Sequence, residues 1–114
     1  MCAIDLDPCE VWRPEERKAR KAHVCGCCGG LIRVGERYVS LFTVFDGEAS
    51  NEASCLACWA DNKEFGKTHS MCSPSYLREM VDECVGDYRD RSQSEWAPLL
   101  ARLDARRDAA RGAR

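Results

Sequence analysis

The alternation of apolar and polar positions between Leu31 and Phe45 predicts a β-hairpin. The segment "LIRV" is followed by a Gly-Glu turn and by "RYVSLFTVF", in which β-branched and aromatic residues occupy both faces of a strand. The dipeptide Asp46-Gly47 has the chemistry of a two-residue hairpin turn. The returning segment, "EASNEAS", is polar and has weak strand propensity. We therefore expect it to form an edge strand.

From Cys55 the apolar spacing becomes helical. In "CLACWADNKEF" the side chains of Leu56 and Trp59 and the stem of Lys63 recur on one helical face, and Gly66 is placed to end the helix. A short helix is therefore predicted directly after the hairpin.

Two further amphipathic helices are predicted toward the C-terminus. The first begins with Ser73 as N-cap and Pro74 at the first helical position, and the second begins near Ser94. Their apolar stripes consist of Tyr76, Leu77, Met80, Val81, Cys84, Val85 and Tyr88, and of Trp96, Leu99, Leu100 and Leu103. Beyond Leu103 only alanines interrupt the arginines and aspartates, so we expect the end of the last helix to fray.

A short N-terminal helix is also predicted, beginning at Pro14. In "PEERKARKA" two glutamates precede a run of lysines and arginines, which is the order of charge that the helix dipole favours. Trp12 is the large apolar residue near its start, so we expect the helix to be exposed.

Two Cys-x-x-Cys pairs stand out among the nine cysteines, and they predict a metal site. Cys25 and Cys28 form the first pair and Cys55 and Cys58 the second, because a two-residue spacing lets both sulfurs face one ion. Cys27 has no cysteine at this spacing. Four thiolates fill the tetrahedral positions of one Zn²⁺ and leave none for water or substrate. The predicted zinc site is therefore structural.

In a treble clef, a tight turn called a knuckle carries the first two metal ligands, a β-hairpin follows, and the first turn of a helix supplies the last two ligands. The two cysteine pairs, the predicted hairpin and the predicted helix follow this order. The predicted fold class is α+β, with a small zinc-stabilised, treble-clef-like hairpin and helix over residues 24–66. An N-terminal segment with the short helix covers residues 1–23, and an antiparallel helical hairpin with a basic tail covers 67–114. We expect the helical hairpin to pack on the zinc module as one domain.

The motif around the first cysteine pair resembles a known family. The run "CGCCGGLIRVGERY", then "FDG" and "CLAC", is similar to a pattern in small zinc-binding proteins of tailed bacteriophages and prophages. That pattern is C-x-x-C-G-x-x-I-x-x-G-E-x-Y, an Asp-Gly turn and a closing C-x-x-C, and the likeness covers residues 24 to about 60. The resemblance implies a phage accessory protein in the bacterial host cytoplasm that inhibits or redirects a host enzyme or defence complex.

Other residues with metal-ligand chemistry form weaker patterns. His69 and Cys72 have a ligand-like spacing and could form a second metal site with Cys2 and Cys9. The alternative is a loop histidine with ordinary thiols. His23, two residues before the first pair, could replace a cysteine ligand or could be an exposed residue.

The distribution of charge argues against nucleic acid as the main ligand. The net charge is −2, and residues 24–95 hold twelve acidic but only seven basic residues. Arg33, Arg37 and the arginine-rich tail favour a nucleic-acid-binding module as the alternative. An HNH-type nuclease also brackets a hairpin with cysteine pairs, but it needs a histidine base there, and residues 29–57 contain no histidine. We therefore expect no enzymatic activity.

The favoured interpretation is a protein-binding module. The sequence shows neither a signal peptide nor an apolar run of about 20 residues, so we expect a cytoplasmic protein that binds no membrane. The expected partner is a host or phage protein, or a second copy of the chain. The expected contact surface is the part of the helical stripes formed by Tyr76, Leu77, Met80, Trp96, Leu99 and Leu103.

Overall fold

The computed structural model describes residues 11–69, 74–87 and 90–112. This part of the chain has an α+β fold. Its strands are β1 (Val11–Lys18), β2 (His23–Val24), β3 (Leu31–Ile32), β4 (Arg37–Phe45) and β5 (Glu48–Cys55). Its α-helices are α1 (Leu56–Gly66), α2 (Leu77–Gly86) and α3 (Ala97–Gly112), with 3₁₀ helices at Pro74–Tyr76 and Arg91–Gln93.

Three strands form an antiparallel sheet in the order β1-β4-β5. Asp46 and Gly47 connect β4 to β5 with φ angles of 51° and 78°, as a two-residue turn with two left-handed positions requires. The predicted hairpin is therefore confirmed, and β5 lies at the edge of the sheet as expected. A separate two-stranded ribbon pairs β2 with β3.

The predicted N-terminal helix is wrong, because its first half forms strand β1. This strand pairs antiparallel with β4 along its whole length, from Val11 opposite Val44 to Lys18 opposite Arg37. The pairing supplies hydrogen-bond partners to the backbone groups of β4 that face away from β5. This long-range stabilisation outweighs the local preference for a helix that the order of charged residues indicates. Pro14 is tolerated because β1 is an edge strand.

Helix α1 begins and ends where the sequence predicts, but it buries a different face. Cys55 is its N-cap, and the helix ends at Gly66. Leu56 is 42 % exposed, whereas Trp59 packs with Val39 and Leu41 of β4. The polar residues Asp61 and Asn62 and the aromatic Phe65 are also buried on α1. The helix contacts the sheet on one side and side chains of α3 on another, so it has more than one buried face.

The main core joins the segment around the first cysteine pair to all three helices. Buried residues of this core come from β3, from α1 and from the apolar stripes of α2 and α3. The expected partner surface is therefore wrong in its larger part: Leu77, Met80, Leu99 and Leu103 are at most 8 % exposed. Trp96 packs partly buried against the same core, and Tyr76 is exposed. A core that includes so few large residues needs both stripes to close it.

Helix α3 is longer than expected. The expected fraying after Leu103 is wrong, since the helix continues to Gly112. Arg102, Arg106 and Arg107 of α3 bond to acceptors on other elements, which holds the helix against the rest of the protein. None of the helices in the described residues is long and apolar enough to span a bilayer.

Candidate metal centre

The ribbon of β2 and β3 carries the first cysteine pair in a tight turn. The backbone N–H of Cys25 donates to the Gly30 carbonyl at 2.9 Å, and the N–H of Gly29 donates to the Cys25 carbonyl at 2.9 Å. Gly29 has a φ of 75°, a conformation that favours glycine. The turn brings the Cys25 and Cys28 side chains to the same side of the ribbon. We call residues 23–32 the knuckle.

The second cysteine pair lies at the junction of β5 and α1. Cys55 caps the helix, and its sulfur accepts from the backbone N–H of Cys58 at 3.5 Å. The N–H of Gly26 donates to the Ala53 carbonyl at 2.9 Å, which ties the knuckle to β5 two residues before this junction. The hairpin thus returns the chain so that the two pairs face each other.

The four sulfurs converge on one point. Those of Cys25, Cys28, Cys55 and Cys58 all lie within 4.8 Å of one another, and three of these residues are buried. Sulfurs bound to a tetrahedral ion at about 2.3 Å would be about 3.8 Å apart, so small side-chain movements close the cluster on an ion. Within the described residues, this is the one group of three or more potential ligands that could hold a metal ion.

Each of the four sulfurs accepts a hydrogen bond from a nitrogen donor. Such donors stabilise thiolate charge and orient the ligands, as outer-shell groups do in metal sites. Three donors are backbone N–H groups and the fourth is a guanidinium. The pairs are Cys55 N to Cys25 Sγ at 3.4 Å, Gly30 N to Cys28 Sγ at 3.4 Å, Cys58 N to Cys55 Sγ at 3.5 Å, and Arg106 Nε to Cys58 Sγ at 3.3 Å.

Arg106 connects α3 to the cluster and to α1. Its Nη2 also donates to the carboxylate of Asp61, a buried residue of α1, which accepts from Arg102 at 3.1 Å as well. Burial opposes the charge of Arg106, but the bonds to Asp61 and Cys58 outweigh this cost and raise its pKa. A fixed positive charge therefore lies beside a group of thiolates, where it offsets part of their repulsion. The sequence carries a faint signal for this role, since Arg102 and Arg106 are four residues apart and share a helical face.

Hydrogen bonds among the clustered sulfurs shift the pKa values of Cys25, Cys55 and Cys58 in different directions. Hydrogen bonds from the thiols of Cys55 and Cys58 lower the pKa of Cys25. The same interaction with Cys25 raises the pKa of Cys55 to about 12 and raises that of Cys58. Metal binding at neutral pH must therefore release protons from Cys55 and Cys58, so the metal affinity falls as the pH falls.

Cys27 and His23 lie beside the cluster and are not part of it. The Cys27 side chain is buried, and a hydrogen bond with Cys58 lowers its pKa. Its carbonyl accepts from Arg107 Nε at 3.0 Å, a second link between the knuckle and α3. The ring of His23 stacks on Tyr38 with centroids 4.7 Å apart. The alternative in which His23 replaces a cysteine therefore has no support in the geometry.

The expected second metal site lies mostly outside the described residues. This applies to Cys2, Cys9 and Cys72. His69 is buried among aromatic side chains. Its ring is stacked on that of Phe65, with centroids 3.9 Å apart, and edge-on to that of Trp96, with centroids 5.8 Å apart. Its Nδ1 lies 2.9 Å from the Thr68 hydroxyl, and its Nε2 lies 3.4 Å from the sulfur of Cys84. Cys84 is fully buried, as its place on the stripe predicts, and its sulfur is disulfide-bonded.

Serine substitutions should distinguish the ligand Cys28 from Cys27, the adjacent cysteine that is not a ligand. Cys28→Ser removes one of the four sulfurs, so we expect the purified protein to lose its metal and much of its stability. Cys27→Ser is the matched control, because it makes the same chemical change one residue away and should retain the metal. Elemental analysis of the two proteins decides between them. Metal loss in Cys27→Ser with retention in Cys28→Ser would show that the ligand set is wrong.

Substitution of Arg106 should test the link between α3 and the cluster. We expect Arg106→Gln to weaken metal binding about 10-fold, because it removes a charged donor to Cys58. Arg111→Gln is the control, since the Arg111 side chain is 80 % exposed and that of Arg106 is 24 % exposed. Competition with a chromophoric chelator measures both affinities. Equal affinities in the two variants would contradict a role for Arg106 at the metal centre.

Comparison of the chain with models of protein families, with curated proteins and with solved structures finds no match. What the four-sulfur centre does must therefore be inferred from its geometry and from the surfaces that it holds in place.

Proposed function

We propose that the protein is a non-catalytic protein-interaction module whose fold depends on one structural Zn²⁺. The closure of the four-cysteine centre is the observation that supports this proposal. Four thiolates satisfy the tetrahedral preference of Zn²⁺ and leave no position where water or substrate could be activated. Cysteine sulfur also favours zinc over magnesium, calcium or manganese, which prefer oxygen ligands.

The order of elements around the centre supports a treble-clef-like module. The knuckle carries the first pair, β4 and β5 form the hairpin, and the first turn of α1 carries the second pair. In small zinc modules metal binding contributes about 10–16 kcal/mol to folding. The described core contains few large side chains, so an ion at this junction would stabilise much of the fold. We expect one zinc ion per chain.

The surface that would meet a partner lies on the knuckle and on the turn that follows it, because the helical stripes are buried in the core. Val24 and Leu31 are opposite each other on β2 and β3 and are 55 % and 59 % exposed. Val34, in the following turn, is 66 % exposed. We call these three residues the knuckle tip. Exposed aliphatic side chains grouped on a rigid element are typical of protein-binding surfaces.

The family resemblance supports the biological setting of this proposal. The motif over residues 24–60 is similar to that of phage accessory proteins, which favours a host or phage protein as the partner. A host enzyme or defence complex that the protein inhibits or redirects fits this setting. A second copy of the chain is the other protein partner that the tip could bind.

A nucleic-acid-binding module is the second candidate, and unpaired basic residues favour it. Lys18, Arg20 and Lys21 form no ion pair with any residue in the described part of the chain. The tail arginines that suggested this function are used differently, since Arg102, Arg106 and Arg107 pair with acidic residues of α1 and α2. A bound nucleic acid would also leave the aliphatic side chains of the knuckle tip exposed to solvent, so we favour a protein as the partner.

The test is capture of a partner from a bacterial extract with wild-type bait and with a Val24→Ser, Leu31→Ser double variant. We expect the double variant to lose the partner because it loses the apolar contact surface. Leu56→Ser with Tyr76→Ser is the control, since both residues are exposed and belong to other elements, α1 and the 3₁₀ helix at Pro74–Tyr76. Equal capture by all three baits, or capture that nuclease treatment abolishes, would contradict the proposal. Metal content should be equal in the three proteins.

A further inference from the structure

An open groove lies next to the knuckle tip, with a volume of about 1210 Å³. Four basic residues line it, from the end of β1 and the segment that follows: Arg17, Lys18, Arg20 and Lys21. Val34 of the knuckle tip lines the same groove. We call this feature the basic groove.

The positive charge of the basic groove is largely unbalanced. Glu15 is the acidic residue among its lining, and it pairs with Arg17 at 2.7 Å. Lys18, Arg20 and Lys21 are exposed and form no ion pair with a described residue. Three like charges within four positions repel one another, and a bound anionic group would relieve that repulsion.

The backbone that carries these charges is held in place. Ala19, between two of the basic residues, is buried. Its N–H donates to the Glu36 carbonyl at 2.8 Å, and its carbonyl accepts from the N–H of Gly35 at 2.8 Å. The basic side chains therefore project from a fixed segment, which lowers the conformational cost of binding.

From these observations, and resting on the proposed function, we propose that the basic groove and the knuckle tip together bind an acidic segment of a partner protein that also carries apolar side chains. Val34 lines the groove, and so does His23, which directly precedes Val24 in β2, so the two surfaces adjoin. Acidic side chains would neutralise Lys18, Arg20 and Lys21, and apolar side chains of the same segment would cover the tip.

The aromatic residues beside the groove favour a peptide over single-stranded nucleic acid. Binding of single strands relies on aromatic rings on which bases stack. Tyr38 lines the groove, but it is 7 % exposed and its ring is stacked on His23. The face of the Tyr38 ring that is stacked on His23 is therefore not available to a nucleic-acid base.

The experiment measures binding of a fluorescein-labelled peptide of nine residues, six glutamates with three interspersed leucines, to the full-length metal-loaded protein. We expect binding at about 50 mM salt that weakens several-fold at 200 mM, because the charged contacts are screened. The peptide with Gln in place of Glu should bind at least 10-fold more weakly. A labelled oligothymidine of equal charge should also bind more weakly than the acidic peptide.

Charge reversal at two places provides the matched variants. Lys18→Glu with Lys21→Glu should weaken peptide binding at least 10-fold. Lys63→Glu with Lys67→Glu makes the same change in net charge at two exposed lysines around the end of α1 and should leave binding unchanged. Elemental analysis of both double variants should show full metal content.

Several outcomes would overturn the inference. These are no binding of the acidic peptide, equal binding of the Gln peptide, tighter binding of oligothymidine, and equal losses in the two lysine variants. The proposed function can fail separately. A captured partner that requires Val24 and Leu31 but tolerates the Lys18→Glu, Lys21→Glu variant would keep the function and reject the acidic-segment inference.

Discussion

The convergence of four cysteine sulfurs on one point is the constraint on which the rest of this structure depends. Burying several thiolates together is unfavourable unless a cation and hydrogen-bond donors compensate their charge. The protein supplies one nitrogen donor to each sulfur, three from backbone N–H groups and one from Arg106. The knuckle, the hairpin and the start of α1 each adopt the geometry that places a donor correctly.

The same centre determines how the C-terminal part of the chain is attached. Helix α3 contributes apolar residues to the core, Arg106 to the cluster and Arg107 to the knuckle, so its packing and its charge act at the same interface. Asp61, buried on α1, accepts from both Arg102 and Arg106 and so links the two helices. Disruption of the sulfur cluster would therefore weaken the attachment of α3.

This use of the helices explains where an interaction surface can lie. In a chain with few large apolar residues, both helical stripes are needed to complete the core, and they are not available to a partner. Val24 and Leu31, two of the aliphatic residues that stay exposed, lie opposite each other on the knuckle, beside the first cysteine pair. Lys18, Arg20 and Lys21 of the adjoining segment, which form no ion pair within the described part of the chain, add charge to the proposed surface.

The sequence by itself determined the features that depend on local spacing. The Cys-x-x-Cys pairs, the Asp46-Gly47 turn and the start of α1 after Cys55 follow from contacts between residues close in the chain. Tertiary structure decided the features that depend on distant neighbours. Residues 11–18 are a strand because β4 needs a second partner, and Arg106 serves the cluster because folding brings it to Cys58, 48 residues away. Periodicity identifies an apolar face, but only packing decides whether it meets the core or a partner.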